Sequence, residues 1–427
     1  MAQVIEAVTP YSDEFAAFRS EAAFGTGSLT HARAAAFERF QTLGWPTLRD
    51  EEWRYTNIAP IARLDFRRAD PARLDIASLK PFLIDDMAAT IVVVNGRLAR
   101  ELSDLSRLPD GLAVEDLAAR PDVAARVPAA AGNAFVSLNT ALFEDAVVID
   151  VAPKAVIEKP LHVVFVSVPG ARPALVSPRL VITAREQSSV SVVESYIDAG
   201  AGDLFTNAVT DVRVGPAALV DHVKLQRHGE TFHLATMFVN TERAGTFSSH
   251  AITIGGRITR NDILSVLDGE GAECTLNGLY VANGETLVDT HTTIDHAKAH
   301  CPSHEVYKGI LDDRAKAVFN GKILVRQDAQ KTDAKQTNRA LLLSDDAQIN
   351  TKPQLEIFAD DVKCTHGAAV GQLDEDALFY LRARGIDDRA AQVMLIHAFA
   401  GQILDGIRSD AVRDVALHAV DRKLSIE

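Results

Sequence analysis

From Ser189 to about Val370 the chain switches between apolar and polar positions in short bursts, and the bursts resemble one another. ITRNDILSVL begins at Ile258, AECTLNGLYV at Ala272, TLVDTHTTID at Thr286 and HCPSHEVYKGIL at His300. AKAVFNGKILV follows from Ala315, TDAKQTNRALLL from Thr332, AQINTKPQLEI from Ala347 and DVKCTHGAAVG from Asp361. Successive starts lie 14 to 17 residues apart. In each unit apolar residues flank a polar pair, often Asn-Gly or Thr-His. A short fixed period of β-branched residues and turn chemistry predicts a solenoid, because one unit cannot bury its own apolar face and a stack of them can. Two units per coil give a turn of about 30 residues. An antiparallel sandwich with regular strand spacing is the competing architecture. The number of matched units favours a parallel β-helix.

The flanks read differently. Ser12-Asp13 predicts the cap of a helix through Phe15, Phe18 and Ala22. A second helix is expected from His31 to Leu43, with Ala34, Phe37, Phe40 and Leu43 at helical spacing and Gly44 and Pro46 as its stop. The charged and aromatic stretch from Arg49 to Thr56 is expected to dock these helices onto the rest of the chain, or to be a capped turn anchored by Trp53. Ile91 to Asn95, Ala146 to Val151, His162 to Val168 and Leu180 to Thr183 are β-branched runs bounded by turn residues, hence strands. A helical patch is expected over Leu112 to Val127. At the C-terminal end Asp374, Asp387-Asp388 and Ser409 open three helices, and Ala390, Met394, His397, Gly401 and Leu404 form one stripe. The expected organisation is a helical region at 1–88, a mainly β solenoid core at 89–371 and a helical region at 372–427.

Composition narrows the function classes. The chain has 427 residues, about two or three domains' worth, and 47% apolar content permits a large core. A formal net charge of −14 repels phosphate and argues against nucleic-acid binding by a general basic surface. No apolar run of about 18 residues predicts a membrane span, and the N-terminal stretch has no signal-peptide pattern. Three cysteines, Cys274, Cys301 and Cys364, are too few for a disulfide framework and suit a reducing cytoplasm. The sequence holds no phosphate-binding G-x-x-x-x-G-K-[ST] loop, no G-x-G-x-x-G, no H-E-x-x-H, no G-x-S-x-G and no C-x-x-C.

Two segments carry candidate chemistry. In DVKCTHGA, Cys364 and His366 stand two apart and share one face of a strand. A soft thiolate beside an imidazole suits iron, zinc or a persulfide. Val362 and Val370 have the same parity, so Cys364 also reads as a small buried hydrophobe. From Asp289 to Glu305, His291, His296, His300, His304 and Cys301 have the composition of metal ligands without a standard zinc spacing. A β-helix metalloenzyme using the His291–His304 segment is one reading, and hydrogen-bonded ladders between coils are the other. Lys308-Gly-Ile-Leu and VFNGK (318–322) read as strand-turn-strand units. The polar run 330–338 reads as a solvated loop, with the lining of an outer face or a subunit edge as alternatives, and Lys331 and Lys335 as unspecific phosphate contacts.

These segments together resemble the SufB/SufD family of iron–sulfur cluster assembly scaffolds. The resemblance is carried by GWPTLRDEEWRYTNI and by DHAKAHCPSHEVYKGILDDRAKAVFNGKILV. It continues through QKTDAKQTNRALLLSDDAQINTKPQLEIFADDVKCTHGAAVGQLDEDALFYLRARGI. The Lys363–Ala368 segment, with no cysteine before Cys274, resembles the SufD branch rather than the SufB branch. The resemblance implies a right-handed parallel β-helix between helical ends and a scaffold without ATPase activity of its own. It implies a SufB-like partner at the β-helix edge and a SufC-like ABC-type ATPase docked on the helices within Asp374–Leu424. His366 matches the SufD histidine that helps form or hold the nascent cluster, and Cys364 lies in the same motif. No firmly bound cofactor is implied, only transient iron or an iron–sulfur cluster shared with SufB. Flavin binding, and a homodimer in isolation, stay open.

Overall fold

The structure, a computed structural model, describes residues 11–121 and 133–424. It is mainly β, with 41% strand and 23% helix, and is built on a parallel β-solenoid of about eight turns. Each turn contributes one strand to each of two parallel sheets. One sheet runs through Val147–Val151, Arg179–Ala184, Leu204–Val214, Phe232–Thr241, Ile258–Leu267, Leu287–His296, Lys316–Val325 and Gln348–Ile357. The other runs through Leu161–Ser167, Ser189–Asp198, Leu219–Arg227, Thr246–Ile254, Glu273–Ala282, Pro302–Leu311, Asp333–Leu342 and Lys363–Gly371. Alternate residues point inward and form one long core, from Ile149 and Val163 through Val192, Phe247 and Leu276 to Phe319.

The corners repeat with the coil. Lys154, Gln187, Ala217, Ala244, Gly271, His300 and Lys331 all have positive φ, between 52° and 70°. Each donates its backbone N–H to the corresponding corner of the next coil, as in Gln187 to Pro216, His300 to Gln330 and Lys331 to Asp361. The ladder of corners keeps successive turns in register while the sheets supply the remaining backbone bonds.

Several local expectations change. The Asn-Gly pairs at 277–278 and 320–321 are not turns, and Lys308-Gly-Ile-Leu and 318–322 are not strand-turn-strand units. All lie inside continuous strands, Glu273–Ala282, Pro302–Leu311 and Lys316–Val325. Their glycines make room in the interior. A Cβ on Gly278 would sit 2.1 Å from the Tyr307 ring, and one on Gly309 2.1 Å from the Tyr280 ring. The polar run at 330–338 is not a loop from Asp333 onward, because it enters the strand Asp333–Leu342 and turns Gln336 and Asn338 inward.

The first helix is Ser12–Arg19, with Tyr11 rather than Ser12 at its N-cap position and no side-chain cap bond, and it stops before Ala22. The second begins earlier than expected, Ser28–Leu43, and ends on Gly44 at φ 63°. In the expected helical patch, Leu112–Glu115 is instead a strand antiparallel to Val147–Val151; positions 122–127 lie outside the described residues. A helix not anticipated, Ala134–Leu142, is buried on every face, so it lacks the one-sided pattern that marks a surface helix.

The 49–56 stretch does dock the N-terminal helices onto the solenoid. The Arg260 guanidinium lies 3.9 Å over Trp53 and donates to the Glu52 carbonyl and to Asp289, which also accepts from Thr56. At the other end Asp374, Asp387 and Ser409 cap the helices Glu375–Ala383, Asp388–Leu404 and Asp410–Lys423. Ile396, Ala400 and Ile403 pack beside Val223, Ile252, Leu279 and Ile310 of the second sheet. The buried stripe is thus rotated from the expected one. Met394 is exposed, and His397 pairs with Asp421 at 2.6 Å.

Candidate functional site

The solenoid does not end as it begins. Gln348–Ile357 and Lys363–Gly371 form the last coil, and among the described residues no strand covers the outer edge of either. One coil back, Ala334, Gln336, Asn338 and Ala340 face inward and are buried. The parallel register puts Cys364, His366, Ala368 and Val370 directly over them. These residues also face the interior, but no further coil lies above them. His366 is therefore exposed, and Val370 is 48% exposed. Ile357, over the buried Val325, extends the same bare apolar end, and Phe358 beside it is 63% exposed.

Cys364 and His366 share one face, as their spacing predicts. Cys364 is half-buried and packs with Val362 against Ile323, Val325, Ala329 and Ala334. Burial pushes its thiol up, the Ala334 backbone bond pulls it back, and Asp333 adds to the rise. The other two thiols are fully enclosed. Burial raises Cys274 to about 12 and also raises Cys301. Of the three cysteines, Cys364 is the one that is not fully enclosed.

The histidine-rich segment does not converge. His291 points out of the solenoid, toward the Glu52 carboxylate at 3.1 Å and Asp289 at 3.0 Å. Burial opposes its charge, but Asp289 and Glu52 outweigh burial and raise it to about 9. His296 points inward, bonded to Ser303 at 3.0 Å, and burial lowers it to about 4. His300 is a corner residue and His304 lies on the exposed outer face. Strand alternation alone sends His291 and His296 to opposite sides of one sheet. Among the described residues no three His, Cys, Asp or Glu side chains gather as a metal site. Lys331 and Lys335, the unspecific phosphate candidates, are paired with Asp361 and Asp333.

The polar interior escaped the pattern reading. In the middle coils Glu194 meets His222 at 2.9 Å, and Lys224 donates to Asn261 at 2.7 Å. Nearer the open end Gln336 Nε2 donates to Glu305 Oε2 at 2.6 Å, both residues 1% exposed. A signal was present: Glu305, Gln336 and His366 fall 31 and 30 residues apart, one coil each, and so occupy one column.

Comparison with known proteins identifies the family. Residues 166–399 match the family described as SUF system FeS cluster assembly, SufBD core domain, and residues 9–163 match the SufBD protein N-terminal region. The chain is 35% identical over 396 residues to an iron-sulfur cluster assembly SufBD family protein of Synechocystis, covering 89% of this chain and 87% of that one. It is 32% identical over 393 residues to the iron-sulfur cluster assembly protein SufD of Escherichia coli, covering 89% and 90%. To SufD of Bacillus subtilis it is 26% identical over 335 residues, covering 76% and 72%. With both family regions matched, and together spanning most of its length, the chain belongs to the SufBD family of iron–sulfur cluster assembly proteins and is SufD-like within it.

Proposed function

We propose that the chain is a scaffold subunit, without ATPase chemistry of its own, that pairs through its open last coil with a SufB-like subunit. The nascent iron–sulfur cluster, as cargo, forms at the paired end beside His366. The observation that carries this reading is the bare inner face of Lys363–Gly371, which exposes His366 and Val370 where the same columns one coil back are buried. Unpaired strand edges are ready templates for another chain's strands. A neutral imidazole is a ligand for iron. Cys364 stands beside it as the reachable thiol, although its packing against Val362 and Ala334 makes a purely structural part equally consistent with its burial.

The C-terminal helices fit the second partner, a SufC-like ABC-type ATPase. Glu375–Ala383 buries none of its residues, and Phe379 and Tyr380 are 72% and 56% exposed. Exposed aromatic pairs of this kind mark docking surfaces. ATP-driven motion of that partner would act through these helices on the solenoid and open the paired end. Transient iron or a cluster shared with SufB is the expected cargo. In isolation the same bare edge offers itself to a second copy of this chain. Among the described residues no helix is long and apolar enough to cross a membrane.

The test is co-expression with SufB and SufC followed by size exclusion and anaerobic iron and sulfide analysis. The wild-type chain co-elutes with both partners. His366→Ala co-elutes but loses most of the cluster, with an unchanged melting temperature. A chain that elutes alone while SufB and SufC associate overturns the scaffold reading. A melting temperature that falls as far as that of a core variant marks His366 as structural.

A further inference from the structure

We infer that Gln336 and Glu305 are positioning residues for His366, a buried stack that fixes which ring nitrogen carries its proton. The inference deepens the reading above and rests on His366 acting at the open end. The three residues occupy one inward column on successive coils, Glu305 opposite Gln336 and Gln336 opposite His366. Register neighbours in adjacent strands lie about 4.8 Å apart, so their side chains stack.

The amide of Gln336 is held in one pose. Its Nε2 donates to Glu305 Oε2 at 2.6 Å, which commits the nitrogen to the inner side. Gly321 on the facing sheet makes the space, since a Cβ there would stand 2.2 Å from that nitrogen. Glu305 is an acceptor whether or not it carries a proton. Burial pushes its carboxyl up to about 7, with Thr292 and Gln336 pulling it back. Fixing the nitrogen leaves Gln336 Oε1 as a buried acceptor without a hydrogen-bond partner. Such an orphan calls for a donor. The next residue of the column is His366, whose neutral ring carries one N–H donor and one lone pair. Donating that N–H to Gln336 Oε1 satisfies the orphan and leaves the other nitrogen's lone pair for the mouth of the coil. Histidines that bind metal are oriented in this way by the group behind them. Thr292 and Glu305 close the inner side of the column, and no apolar residue interrupts it.

The test reads the tautomer directly, in the full chain with ¹⁵N-labelled histidine rings. Two-bond proton–nitrogen spectra are recorded above pH 8, and His366→Gln identifies the His366 signals. The wild-type ring shows two widely separated nitrogen shifts, one tautomer. Gln336→Met, close in volume, loses that separation and gives the averaged shifts of free histidine. Glu305→Leu loses it as well, whereas Glu305→Gln, which still accepts from Gln336, keeps it. Gln336→Met or Glu305→Leu spectra equal to wild type overturn the inference, as does loss of the separation in Glu305→Gln. Normal cluster yield from His366→Ala in the co-expressed complex overturns the reading of His366 instead, and leaves the tautomer result standing.

Discussion

The two ends of the solenoid are made of the same material and finished differently. At the first coil, Val147–Val151 is covered by the antiparallel strand Leu112–Glu115. Leu161–Ser167 is covered by Ala89–Val94, which in turn pairs with the short antiparallel strand Arg97–Leu98. Short antiparallel strands end the sheets without offering a long edge. Ile149 and Val163 in that coil are fully buried. At the last coil no such strand exists among the described residues, and Val370 and Ile357 stand open where Ala340 and Val325, one coil back, are buried. An exposed apolar edge is a liability that folds normally remove. This chain closes one end of the stack and, among the described residues, leaves the other uncovered, with Cys364 and His366 on the uncovered coil.

The largest effect separates the ends by stability. Ile149→Ala removes buried methylenes from a coil with neighbours on both sides, and the expected cost is about 2–5 kcal/mol. Val370→Ala at the open end is expected to cost less than about 0.5 kcal/mol, as for exposed positions generally. Urea denaturation of the isolated chain measures both. Equal midpoints for the two variants would mean that the ends are packed alike, and the comparison would fall.

An intermediate effect locates where closure stops. The N-terminal stretch fastens onto the solenoid through Glu52 and His291, and farther out through Asn320, which donates to Glu52 at 3.2 Å, and the exposed pair Lys352–Glu51 at 2.6 Å. His291 is held protonated up to about 9, above its ordinary 6.5, by Asp289 and Glu52 against the pull of burial. The folded chain therefore keeps a proton that the unfolded chain has lost between those values. The pairing stabilises fully below about 6.5 and is lost as pH rises through about 9. The expected loss is on the order of 3 kcal/mol at most, and less to the extent that water screens the exposed Glu52 carboxylate. His291→Gln should flatten this slope relative to wild type in urea midpoints taken at pH 6 to 9.5. An unchanged slope would place the fastening elsewhere.

Much of this was legible beforehand, for definable reasons. The coil period survived because every coil repeats the same register, and a repeated constraint leaves a repeated pattern in the sequence. The three C-terminal caps were legible because Asp374, Asp387 and Ser409 act on backbone N–H groups within the next three residues. What failed is what depends on contacts between coils. Asn-Gly illustrates it. At Asn95–Gly96, with φ of 47° and 79°, the pair is a hairpin turn. At 277–278 and 320–321 the same dipeptide runs straight through a strand, and its glycine clears space for Tyr307 or Gln336. The local chemistry is identical, and only the neighbouring coil decides. The site divides in the same way. Cys364 and His366 were visible as a pair by strand alternation, but their exposure was not, since nothing in the segment states that the stack ends there. His291 and His296 looked like partners because they are close in sequence, and alternation sets them on opposite faces.

The smallest effect on the chain itself is the sharpest test of what the open end is for. Val370→Lys puts a charge on the inner face of the last coil, where the side chain is already 48% exposed and can hold its ammonium in water. In the isolated chain the change is expected to move stability by no more than about 0.5 kcal/mol. Were another strand to pair along Lys363–Gly371 and a further inner face to close over it, the same ammonium would lose its water with no carboxylate in its own column, where Ala340 lies beneath it. Burying an unpaired charge in that way is far more costly than the exposed substitution. Size exclusion of the co-expressed chains should then show the complex dissociating although the variant alone melts as wild type does. A Val370→Lys complex as tight as wild type would mean that the last coil stays open to water in the assembly, and that the partner docks elsewhere.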